Sequence, residues 1–89
     1  MIEERRVQQV AEIVRRAGLN DQTLAALRES LSGLHFTRCL EDEVGTDAPF
    51  LEDDGFNIYL VDGREHCMKL TRDLEAATGL LLAQVDDEV

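Results

Sequence analysis

The sequence predicts an α+β domain, a helical pair followed by a small antiparallel β-sheet built on a hairpin. Three observations carry this. Apolar residues recur at helical spacing up to about residue 34, the period then shortens to two, and an Asp62-Gly63 turn separates two strand-like runs. The chain has 89 residues, enough for one domain, and its 44% hydrophobic content is that of a globular protein. Residues 1–34 form the helical pair, 41–55 an acidic loop, and 56–85 the hairpin and a C-terminal element, within a single domain over 1–89.

In the first element, Val7, Val10, Ala11, Val14 and Ala17 make one apolar stripe, which predicts an amphipathic helix over residues 2–17. Gly18 stands where a helix stops, and Asn20 or Asp21 caps a second helix with the stripe Leu24, Leu27, Leu31 and Leu34. Gly33 marks its end. His35 to Leu40 (HFTRCL) is expected to be a strand, and FNIYLV, residues 56–61, is the strongest strand in the chain. Its partner is EHCMKLT, residues 65–71. A three-residue loop of Val61, Asp62 and Gly63 would pair Phe56 with Met68 and Ile58 with His66. That register places Gly63 in a left-handed bulge and collects Phe56, Ile58, Leu60, His66, Met68 and Leu70 on one face. RDLEAATG, residues 72–79, reads as a short helix with Asp73 as cap and Gly79 as stop. LLLAQV, residues 80–85, suits a buried strand better than a continued helix, because an interior Gly costs a helix about 1 kcal/mol.

Charge divides the chain. Residues 1–40 hold six Arg and five acids, whereas residues 41–89 hold three bases and fourteen acids, for a total of -10. Residues 41–55 alone contain seven acids and no base. This repels phosphate backbones and anionic bilayers, so neither nucleic acid nor membrane is expected as a partner. Tryptophan is absent and Phe36, Phe50, Phe56 and Tyr59 are the only aromatics, which leaves a modest aliphatic core of the kind a partner or second copy often completes. The opening MIEERR lacks the apolar stretch of an export signal, so a cytoplasmic protein with reduced Cys39 and Cys67 is expected.

Several chemistries can be weighed on these residues. VAEIVRRAGLNDQTLAALR has a helix-turn-helix layout, yet its second helix offers Arg28 beside Asp21 and Glu29 where a DNA reader needs basic and amide side chains. His35, Cys39 and Cys67 are metal-ligand types. Adjacent His66 and Cys67 would face opposite sides of a strand, and His35 and Cys39 lie roughly 13 Å apart along one. Glu52-Asp53-Asp54-Gly55 supplies hard oxygen ligands without the spacing of a calcium loop. No nucleophile elbow, P-loop or dinucleotide fingerprint is present, and hydrated loop carboxylates lack the perturbed acidity of a catalytic pair. No enzyme activity and no cofactor are expected.

FNIYLVDGREHCMKLT and LEAATGLLLAQV, about half of the chain, resemble a small uncharacterised bacterial family met among nitrogen-fixation genes. The resemblance carries no catalytic signature. It implies an accessory protein near nitrogenase, its maturation factors or its electron donors.

The residues thus lead to a non-enzymatic accessory or regulatory protein that binds another protein bearing a basic patch. Glu41, Asp42, Glu43, Asp47, Glu52, Asp53 and Asp54 would provide the charge, and Phe50 the apolar anchor unless it staples the loop to the core. Neutralising Glu52, Asp53 and Asp54 should leave stability unchanged or raise it. The alternatives are a metal or redox protein using His35, Cys39 and Cys67, and a DNA-directed regulator, whether a helix-turn-helix reader or an acidic mimic. Arg5, Arg6, Arg15 and Arg16, opposite in sign to the acidic half, also permit self-association.

Overall fold

A computed structural model describes residues 2–44, 48–53, 55–63 and 69–85. Helix α1 spans Glu4–Ala17 and buries Val7, Val10, Ala11 and Val14, whereas Ala17, the last residue of the expected stripe, is exposed. It starts two residues later than its periodicity suggests. Ile2 is nonetheless buried, and its N–H donates to the Leu74 carbonyl at 2.9 Å. The helix ends at Gly18, whose φ of 87° is open to glycine at little cost and whose N–H donates to the Val14 carbonyl at 2.8 Å. Helix α2, Asp21–Ser30, is capped as expected, with Asn20 Oδ1 accepting from the Thr23 N–H at 2.9 Å.

Among the described residues five strands follow: β1 His35–Leu40, β2 Leu51–Glu52, β3 Phe56–Asp62, β4 Lys69–Thr71 and β5 Gly79–Gln84. The order is β1-β5-β3, with β2 and β4 sharing the outer edge of β3. Among the described strands β1 and β5 run parallel and the other pairs antiparallel, so the sheet is mixed but mostly antiparallel. Phe36, Phe56, Ile58, Leu60, Leu80 and Leu82 share one face and form a single core with the stripes of both helices. Thr37, Cys39, Tyr59, Val61, Leu81 and Ala83 alternate onto the other face. The domain is α+β with its helices on one side of the sheet.

At the start of β5, Gly79 lies between His35 and Val61, and a Cβ there would come within 2.6 Å of the His35 carbonyl oxygen. Outside β1, the outward-facing backbone is partly covered by side chains. Arg28 Nη2 donates to the Phe36 carbonyl at 3.0 Å, and Glu43 Oε1 accepts from the Leu40 N–H at 2.9 Å.

Two expectations are corrected. The hairpin pairs Leu60 with Thr71, Val61 with Leu70 and Asp62 with Lys69, not Phe56 with Met68. The Ile58 end of that edge is occupied instead by β2, through Leu51 opposite Ile58 and Glu52 opposite Asn57. Among the described residues, Gly18, Gly33 and Gly55 have a positive φ. Residues 72–79 form one turn rather than a helix. Asp73 caps it through Oδ1 to the Glu75 N–H, but Thr78 donates its N–H to the Val61 carbonyl at 2.7 Å, which draws the chain into β5. Gly79 therefore opens a strand. The expected strand over 80–85 is present as β5. His66, Cys67 and Met68 lie outside the described residues.

Candidate functional site

Register decides where the acids go. Leu40, Gln84 and Phe56 are opposite one another across β1, β5 and β3, and Cys39, Ala83 and Asn57 form the next row, which Glu52 of β2 completes. The 3₁₀ turn Glu41–Glu43, which follows β1, and Glu52-Asp53, at the end of β2, are thus brought to the same end of the sheet from its two edges. Asp42, Glu43 and Glu52 are exposed there.

Each acid has a different neighbourhood. Glu41 turns onto the sheet face away from the helices. It accepts from the Tyr59 hydroxyl at 2.6 and 2.8 Å and from Asn57 Nδ2 at 2.9 Å. Tyr59 is only 2% exposed. Burial first, and then its hydrogen bond to the Glu41 carboxylate, push the phenol up to about 12. These contacts fasten the 3₁₀ turn to the sheet. Glu43 caps Leu40, as described above. Asp53 faces the helices and forms a two-pronged ion pair with Arg15 of α1, Nε to Oδ1 at 3.2 Å and Nη2 to Oδ2. Its side chain is only 12% exposed. The same pairing holds the Arg15 guanidinium above its ordinary range. Asp47 and Asp54 lie outside the described residues.

The expectation about neutralised charge therefore divides by residue. Asp53→Asn is expected to lower the melting temperature, because it leaves Arg15 without its two-pronged partner. Glu52→Gln, with an exposed side chain, should leave the melting temperature unchanged. Thermal denaturation of the two single variants checks this, and equal melting temperatures would remove the ion pair from the account.

Phe50 and Leu51 are half-buried against the core, and the Phe50 N–H donates to the Ile58 carbonyl at 2.9 Å. Phe50 is placed as a staple. The large hydrophobic side chain that is exposed among the described residues is Leu40, at 47%. It borders a groove of about 340 Å³ lined by Glu41, Asp42, Gln84 and Val85.

A family of unknown function, DUF6129, matches residues 8–85, from the first turns of α1 to the residue after β5. The chain belongs to that family. No curated protein and no solved structure matches it. DUF6129 membership covers the helical half as well as the C-terminal segments on which the resemblance rested, and nothing in it links the chain to nitrogen-fixation genes.

Elsewhere in this DUF6129 member, His35 is exposed and Cys39 half-buried on one face of β1, with Thr37 between them. Burial and the carboxylates of Glu43, Glu41 and Asp42 raise the Cys39 thiol, which disfavours the thiolate a metal would need. Cys67 lies outside the described residues, and among those described no three His, Cys, Asp or Glu side chains are grouped to hold a metal. A cleft of about 580 Å³ at the opposite end of the sheet is lined by Arg28, His35, Thr37 and Thr78 among others, and among the described residues by no acid or thiol. On α2, Arg28 is engaged with Phe36, and Asp21 pairs with Arg38. Among the described residues no helix is long and apolar enough to cross a membrane.

Proposed function

We propose that this DUF6129 member is a non-enzymatic, cytoplasmic accessory or regulatory protein that docks through its acidic sheet end on a basic patch of another protein. The observation that carries the reading is the register. It collects carboxylates separated by ten residues of sequence, Asp42 and Glu52, at one end of a single sheet. A cluster of like charge on a rigid support accelerates encounter with an oppositely charged partner. The turn bearing Asp42 has that support in Glu41, Tyr59 and Asn57. The resemblance of the C-terminal half to a family met among nitrogen-fixation genes is the reason to look for the partner near nitrogenase and its maturation factors.

The test is affinity capture from the native cell at low salt, followed by binding kinetics with whatever protein is retained. The Asp42→Asn/Glu52→Gln variant should associate several-fold more slowly than the unaltered chain. The difference should fade as salt shortens the reach of exposed charge to about 8 Å and below. Identical association rates at low salt would reduce the acidic end to a solvated surface.

A further inference from the structure

We infer that the groove beside Leu40 receives an apolar side chain from a basic segment of the partner, so that Leu40, not Phe50, is the anchor of the interface. The inference rests on the docking reading above and names the partner's local chemistry. Phe50 and Leu51 are packed on the core and have little apolar surface left to offer. Leu40 shares a cross-strand row with the buried Phe56, yet it sits on the edge strand at the end of the sheet and is 47% exposed. The groove it borders, about 340 Å³, is also lined by Glu41, Asp42, Gln84 and Val85. Among the described residues its lining contains no basic side chain.

Three contacts fix the backbone and side chains beside the groove. Glu43 ties the Leu40 N–H, and the Tyr59 hydroxyl and Asn57 amide tie Glu41. An apolar spot with an acidic rim fits a segment in which Lys or Arg flank a Leu-like side chain. The rim charges set the encounter and the buried contact sets the lifetime of the complex. A neutral or acidic segment would leave Asp42 unpaired against it. Covering one leucine is worth about tenfold in affinity.

The experiment uses two synthetic peptides of equal length and charge, one of Lys and Leu and one of Lys and Gly, titrated into the full chain while backbone amide shifts are followed. The Lys/Leu peptide should bind more tightly and shift Leu40, Gln84 and Val85. Leu40→Ser should weaken that peptide about tenfold and leave the Lys/Gly peptide unaffected. Gln84→Arg, which places a positive charge in the groove, should weaken the Lys/Leu peptide without touching Leu40. Because Leu40 and Gln84 lie outside the core, an unchanged melting temperature for each variant separates lost binding from lost folding. If both variants bind the Lys/Leu peptide as the unaltered chain does, the anchor is elsewhere and the acidic docking reading stands without it. If neither peptide binds at low salt, both readings fall.

Discussion

Replacing Gly79 by Ala is expected to destabilise the domain by about 2–3 kcal/mol and to lower its melting temperature by roughly 10 °C or more. The backbone of Gly79 needs no positive φ, so conformational freedom is not the reason. The reason is space. An added Cβ would stand 2.6 Å from the His35 carbonyl oxygen, 2.8 Å from its Cβ and 3.1 Å from its carbonyl carbon. Two of these three atoms are backbone, so relief requires β1 to move away from β5 at the start of their parallel pairing. Thermal denaturation of Gly79→Ala checks this. A melting temperature within 2–3 °C of the unaltered chain would mean that β1 yields at little cost, and that the pairing of His35 with Gly79 is loose.

Alkaline pH should produce the second large effect. Tyr59 is raised to about 12 by burial and by its hydrogen bond to Glu41, whereas an exposed tyrosine ionises near 10. The folded chain therefore keeps the phenolic proton over a range in which the unfolded chain has released it. The stabilisation is fully present below pH 10 and is lost as pH rises from there through about 12, amounting to roughly 2–3 kcal/mol. Tyr59→Phe cannot ionise and should lack this component. At neutral pH it should be less stable by about 1–2 kcal/mol, because it no longer donates to the Glu41 carboxylate. Denaturant titrations of both proteins between pH 8 and 11 provide the comparison. Parallel pH dependences would show that ionisation of Tyr59 is not coupled to unfolding.

Much of the architecture can be read from the residues. The Val7, Val10, Ala11, Val14 stripe, the Asn20 cap, the strand at His35–Leu40 and the alternation of Phe56, Ile58 and Leu60 toward the core are all local signals, and each appears as a local pattern predicts. What the sequence hides is competition between segments. The hairpin register follows from which segment occupies the outer edge of β3, and Leu51-Glu52, two residues in an acidic stretch, claims part of it without a strand pattern long enough to notice. Residues 72–79 have helical composition, yet the hydrogen bonds of Thr78 to Val61, Gly63 and His35 settle their path. The same blindness affects the site. Its charge is plain in residues 41–55, but the exchange of Phe50 for Leu40 as the exposed apolar group depends on β1 lying at the edge and on Phe50 reaching the core. The Tyr59–Glu41 contact spans eighteen residues and has no sequence signature.

The position of β5 bears on how the chain assembles. It is the last strand in sequence and yet lies between β1 and β3, so it joins the helical half to the hairpin half. Its pairing with β1 closes a loop of 44 residues, from His35 to Gly79. Until β5 is in place, β1 has no neighbour in the sheet among the described residues, and β2, β3 and β4 can form only a ribbon. On a ribosome, α1, α2 and β1 emerge first and wait for a strand made more than forty residues later. Closing so long a loop must precede the contacts that reward it, which makes the arrival of β5 a natural slow step. A nascent chain that pauses before Leu80 would expose both halves of an unfinished core.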